Sequence, residues 1–243
     1  MSKKFWIYIG FFTLLLGGFY LAIFQGYDFN KSKLPVLNDK IPAFRFTDQN
    51  NRPFSPDEVE GKVYVAEYFF TTCRGICPKM NANMRRVYDQ FRDEADFMIV
   101  SHTCMPETDS VPLMKAYERK MIQGTLIKNN DGSYKISMAS LDSVNPVNNK
   151  NWYFVTGQKK DLYMLARQGY MIDNGKPDST QRLEDQFIHT QFFALVDRYG
   201  RVRGIYDGLK EDEIQKLMRD IPGLLKEKVT SKRFMNGFNN NPG

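Results

Sequence analysis

Val63-Tyr64-Val65-Ala66-Glu67-Tyr68-Phe69-Phe70, followed by Thr71-Thr72-Cys73-Arg74-Gly75-Ile76-Cys77-Pro78, is the stretch that decides the fold. Its first eight residues are nearly all apolar and β-prone, the pattern of a central strand covered on both faces. Pro78 suits the first turn of a helix, where a missing N–H costs nothing. Beyond it, Met80, Met84, Val87, Tyr88 and Phe91 recur on one helical face. The passage reads as strand, cysteine loop, helix. Unpaired N–H groups at a helix start favour a thiolate there. A thiolate is both a nucleophile and a soft metal ligand, so the junction suits redox chemistry and metal capture alike.

Working outward, Ile41 to Phe46 alternates like a strand and Asp48-Gln49-Asn50-Asn51 reads as a turn, so a hairpin should open the domain. Phe97 to Val100 is a second buried strand, Leu113 to Met121 a second helix, Trp152 to Val155 a third strand, and Leu162 to Ala166 a short helix. Phe192 to Val196 and Val202 to Tyr206, joined by Asp197-Arg198-Tyr199-Gly200, make a hairpin. Ile214, Leu217, Met218, Ile221 and Leu224 mark a last amphipathic helix. Alternating strands and helices predict an α/β fold with a mixed central sheet flanked by helices. With a cysteine pair at the first strand-to-helix junction, this is the order of the thioredoxin fold. The stretch 124–149 breaks the alternation; it is polar, carries Asn129-Asn130-Asp131-Gly132, and reads as a surface insertion with its own hairpin.

Phe5 to Phe24 is uncharged. At 1.5 Å per residue, twenty residues span about 30 Å, the thickness of a hydrocarbon core. A cleaved secretory signal is the rival reading, but the run is long for one and no small-x-small site follows. Residues 1–27 are therefore expected to be a short stub and a single-pass anchor in the inner (plasma) membrane. Lys3 and Lys4 place the N-terminus in the cytoplasm, leaving the main domain periplasmic or otherwise extracytoplasmic. Residues 28–40 read as a tether, 41–225 as the folded domain, and 226–243 as a basic, Asn-rich tail. The net charge of +6 gathers partly at the two ends. Elsewhere bases alternate with acids as on a solvated surface, and nothing resembles a nucleic-acid recognition element.

Three residues separate Cys73 from Cys77, where a disulfide oxidoreductase of this fold typically has two. The gap still permits a disulfide, and it also lets two thiolates converge on one small ion. An inert structural disulfide is disfavoured, because so small a loop contributes little entropy to stability. The chain has two histidines. His189 precedes the strand Phe192 to Val196, whose start should lie beside the cysteine junction, so it is the candidate third ligand. His102 and Cys104 fall on one face of the second strand and read first as a strand-end pair without a role. Two thiolates and an imidazole match Cu(I) and Cu(II). Zinc would accept the same set, with Cys104 or His102 as a fourth ligand. Neither a Ca²⁺ loop nor a phosphate cradle is present.

Together, Thr71-Thr72-Cys73-Arg74-Gly75-Ile76-Cys77-Pro78, Pro106-Glu107-Thr108-Asp109-Ser110, Trp152-Tyr153-Phe154-Val155-Thr156-Gly157, and His189-Thr190 before Ala194-Leu195-Val196-Asp197 resemble the Sco/SenC family. These are thioredoxin-like copper chaperones of cytochrome oxidase assembly. The similarity spans about 40–225. It implies Cys73, Cys77 and His189 as copper ligands. It further implies delivery of copper to the dinuclear site in subunit II of cytochrome c oxidase, or reduction of that site's cysteines with help from a thiol reductant. A membrane-anchored thiol-disulfide oxidoreductase using Cys73 and Cys77 as redox-active thiols is the alternative. A binding module with a vestigial site is the third reading. Arg74 and Met105 stand where the family often has Pro and Asp, and the insertion at 124–149 is unusual.

Overall fold

The computed structural model describes residues 3–24, 34–138, 146–173 and 190–227. The N-terminal unit is α1 (Lys3–Phe24), of which Lys3–Leu21 is long and apolar enough to cross a membrane.

The second unit holds β1 (Phe46–Asp48), β2 (Pro53–Phe54), α2 (Pro56–Val59), β3 (Val63–Phe69), α3 (Cys77–Phe91), β4 (Phe97–Thr103) and α4 (Val111–Gln123). It continues through β5 (Thr125–Lys128), β6 (Tyr134–Ser137), β7 (Trp152–Thr156), α5 (Lys159–Met164), β8 (Phe192–Val196), β9 (Val202–Asp207) and α6 (Glu211–Lys226). Seven strands form one sheet in the order β2-β1-β7-β4-β3-β8-β9. β3, β4 and β7 are mutually parallel at its centre, while β1, β8 and the outer strands add antiparallel edges. β5 and β6 form the separate hairpin expected within the insertion.

Every residue of β3 is buried, because helices cover both faces of the sheet. Alternation divides the core in two. Val63, Val65 and Phe69 point toward α3, α4 and α6, where Met80, Met84, Tyr117, Leu217 and Ile221 meet them. Tyr64, Ala66 and Tyr68 point the other way, toward Phe46, Leu162, Tyr163 and Tyr170. The sequence pattern thus produces the expected mixed sheet flanked by helices.

Several boundaries differ from the sequence reading. The leading strand lies at 46–48 rather than 41–46. Asp48 ends it by accepting the N–H groups of Asn50 and Arg52, each at 2.8 Å, and this sets the turn. β4 runs on to Thr103, which places His102 inside the strand. α5 starts earlier and continues as a π-turn, Leu165–Gly169. Part of the expected tether is docked: Leu37 N donates to Val202 O, Val202 N to Asn38 O, and buried Arg203 to Leu34 O. The tail beyond Glu227 lies outside the described residues.

Candidate metal centre

β3 ends at Phe69, and the chain turns through Thr71 and Cys73 before α3 begins at Cys77 with Pro78 in its first turn. Cys73 is half-buried and Cys77 buried; both are free thiols, and Cys73 lies close enough to bear on the Cys77 thiol. Asp109, buried just before α4, fastens this loop. Its carboxylate accepts from Thr71 N at 3.2 Å, Thr71 Oγ1 at 2.6 Å and Thr103 Oγ1. Charge-assisted bonds of this kind are about twice as strong as neutral ones. The loop carrying Cys73 is therefore held to the ends of both β3 and β4.

The electrostatics correct one expectation. The helix start was expected to favour a Cys77 thiolate; instead its thiol is pushed far above the usual range, by burial first and then by Cys73 beside it. The Phe70 N–H offsets this only in part. A half-charge from the helix end cannot replace lost water. The buried Cys77 thiol gives up its proton only if a cation takes up the charge, or leaves the thiol state by forming a disulfide. The donor set therefore fits a soft cation.

His189 lies outside the described residues. Thr190, which follows it, is buried, and its hydroxyl donates to Ile172 O. Among the described residues no group of three or more His, Cys, Asp or Glu side chains forms a metal site. Within that set His102 and Cys104 form no such group with Cys73 and Cys77. They share a face of β4, as expected, but it is the face opposite α3. The peptide between Phe69 and Phe70 separates the sulfurs: Cys104 Sγ donates to Phe69 O at 3.3 Å, while the Phe70 N–H serves Cys77. His102 stacks on Tyr68 at 5.0 Å and meets the edges of Phe46 and Tyr170. Burial drives its pKa from 6.5 to about 3, so the ring is neutral.

Sequence reasoning passed over Glu67, Asp109 and Tyr117 as individual residues. An acid in the middle of an apolar strand was the available signal for Glu67.

A mixed sheet with a dithiol at the junction of a central strand, β3, and the helix that follows it, α3, defines a thioredoxin-like protein. A sequence model described as SCO1/SenC matches residues 34–127. The chain is 26% identical over 187 residues to the SCO1 protein homolog of Bacillus subtilis (strain 168), covering 76% of this chain and 82% of that one. Over 79 residues it is 33% identical to a Stutzerimonas stutzeri protein described as copper-binding, 32% of this chain and 39% of that one. The solved structure of BsSco, a member of the Sco family of cytochrome c oxidase assembly proteins with a disulfide switch, matches with a TM-score of 0.58 at 26% identity. That match covers 82% of this chain and 99% of BsSco. In sequence and fold the chain is similar to the SCO1/SenC family.

Proposed function

We propose that this protein is a membrane-tethered copper chaperone that holds copper on Cys73, Cys77 and His189. It passes the metal to the dinuclear copper site in subunit II of cytochrome c oxidase or to another copper-site protein, or prepares that site's cysteines. The observation that carries the reading is the thiol pair at the start of α3, one half-buried and one buried. Two thiolates hold Cu(I), and an imidazole adds the harder donor that Cu(II) favours. Support for His189 comes from topology: β8 runs antiparallel to β3, so its start adjoins the end of β3, from which the cysteine loop departs. The description of the Stutzerimonas stutzeri relative as copper-binding and the oxidase-assembly role of BsSco point the same way. α1 tethers the domain, and Lys3 and Lys4 keep the N-terminus cytoplasmic, so the thiols work in an oxidising compartment and need a thiol reductant.

Metal analysis of the reduced, detergent-extracted chain should give one copper per chain, and Cys73→Ser with Cys77→Ser should abolish it. Unchanged copper content in that double variant overturns the reading. His189→Ala should remove the thiolate-to-Cu(II) absorption band while sparing most Cu(I) binding.

The pairing of two free thiols at one loop favours a second reading, a thiol-disulfide oxidoreductase. It requires metal-free reduced protein to reduce a partner disulfide, with His189→Ala fully active in cells.

A further inference from the structure

The hairpin of β5 and β6 stands outside the main sheet, and α3 holds it by two arginines that point in opposite directions. Arg85 reaches forward to Asp89 at 2.7 Å and fastens the hairpin's base, donating to Met121 O at 2.5 Å and Gly124 O at 3.1 Å. Gly124 belongs there because a Cβ would meet Ile136 Cγ2 at 2.4 Å. Arg86 reaches back to Asn83 Oδ1 at 3.1 Å and donates to both carboxylate oxygens of Glu211 at 2.6 Å. Its guanidinium lies 4.2 Å over the ring of Tyr134, beside the tip. The hairpin therefore runs along α3 toward the start of that helix, where Cys77 sits. Its tip is set by Asp131, whose Oδ1 accepts from Ser133 N at 2.9 Å and Ser133 Oγ at 2.6 Å. A two-stranded hairpin is marginal on its own in water, so these clamps are what order it.

Tyr134 and Ile136 face α3, so Ile127 and Lys135, paired across the two strands, face away. Lys128 and Lys135 on the hairpin, Lys79 in the first turn of α3 and Arg74 between the cysteines are all exposed. Among the described residues none of the four forms an ion pair, whereas Asp89 and Glu211 beside the hairpin are taken by Arg85 and Arg86. The surface from hairpin to cysteine loop keeps a positive excess, offset in part by Asp131, which lies near enough to Lys79 to feel its charge.

We infer that this basic surface, from the β5–β6 hairpin to Arg74, docks an acidic face of the protein that reaches Cys73 and Cys77. The inference rests on the proposed function only in taking those cysteines as the working thiols, and it adds the chemistry of the partner. Arg74 stands between them, so whatever covers this surface covers the thiols. An anionic lipid surface is drawn by the same charges, but it has no group to take copper or electrons and would close the site. An acidic protein brings its own ligands or thiols, and the charge match speeds encounter by about tenfold or more at low salt. Ile76 and Ile127, 40% and 38% exposed, offer the apolar contact that protein interfaces set among their charges.

The test uses the full chain, reduced and free of metal, in phosphatidylcholine nanodiscs. Two iodoacetyl peptides of equal length, one rich in Glu and one rich in Lys, alkylate Cys73, and mass spectrometry follows each rate. At low salt the acidic peptide should react on the order of 10-fold faster. The ratio should approach one at about 1 M salt, where the Debye length is about 3 Å. Lys128→Gln with Lys135→Gln removes half of the four cations and should cut the low-salt ratio to about threefold, while neutral iodoacetamide reacts at the wild-type rate. Equal rates for the two peptides in wild type, or a ratio unchanged in the double variant, overturns the inference. So does a fall in the iodoacetamide rate when phosphatidylglycerol replaces phosphatidylcholine, because lipid then covers the surface. Copper content of the same discs is read separately. A chain that binds no copper yet prefers the acidic peptide defeats the chaperone reading alone; one that binds copper without that preference defeats the docking surface alone.

Discussion

On the α3 side of β3 and β4 the buried polar groups are wired together: Glu67 to Ser101 to Trp152, Thr71 to Asp109 to Thr103, Asn81 to Tyr117. On the other side of the same two strands, His102 sits among Phe46, Tyr68 and Tyr170, with Nδ1 3.2 Å from the Glu67 carbonyl and Nε2 3.4 Å from the Tyr170 hydroxyl. Loss of water neutralises both titratable groups, raising the carboxyl to about 8 and lowering the imidazole to about 3. They differ in what is left over. Both ring nitrogens of His102 have neighbours, whereas Glu67 keeps an open oxygen on the side packed against α3 and α4. One face has its polar atoms engaged; the other keeps an acceptor unused.

The largest expected effect lies on the aromatic side. The unfolded chain binds a proton on His102 near pH 6.5, while the folded chain resists until about 3. Stability is therefore fully present above 6.5 and lost as pH falls toward 3, by up to about 5 kcal/mol. Urea unfolding of wild type against His102→Phe isolates this contribution from that of the surface carboxylates. If the two acid slopes coincide, the ring is not held neutral and the contrast between the faces fails.

Glu67 should show the mirror image. The unfolded carboxyl releases its proton near 4.5 and the folded one near 8, so its contribution is full below 4.5 and lost as pH rises to 8. Glu67→Gln removes that slope and should stabilise the protein at pH 8 by about 2 kcal/mol. This is less than the roughly 5 kcal/mol ceiling, because the amide brings donors that need partners. A variant less stable than wild type at pH 8 would mean that the carboxylate has a partner on this face.

The strand, cysteine loop and helix were legible because each carries its own periodicity, and continuous apolar runs announced β3, β4 and β8. β1 was misplaced because its end is set by the Asp48 side chain, not by alternation. Period two correctly put His102 and Cys104 on one face, but a period does not say which face a later helix will cover. That alone separates Cys104 from Cys77. The Cys77 expectation failed for a related reason: a helix start can be read from Pro78, whereas burial depends on residues such as Met80 and Tyr117 meeting the sheet. Glu67 looked like one tolerated polar residue in a strand until its surroundings were known.

The smallest effect tests whether the wiring near the cysteines is positional. Asp109→Asn keeps one acceptor for Thr71 or Thr103 but turns an N–H₂ group toward the other donor. It should cost about 1–2 kcal/mol in urea unfolding. Asn is nearly the same size, so the hydrophobic core is undisturbed, and β3 and β4 remain paired along seven residues. The released segment is Thr71 to Cys73, so Cys73 should alkylate several-fold faster in the reduced, metal-free protein while Cys77, fixed at the helix start, is unchanged. The ratio of the two rates is the informative quantity, because general loosening would raise both together. A rise in both would make Asp109 a support for the whole end of the sheet; a rise in Cys73 alone makes it the clamp that sets the exposed thiol.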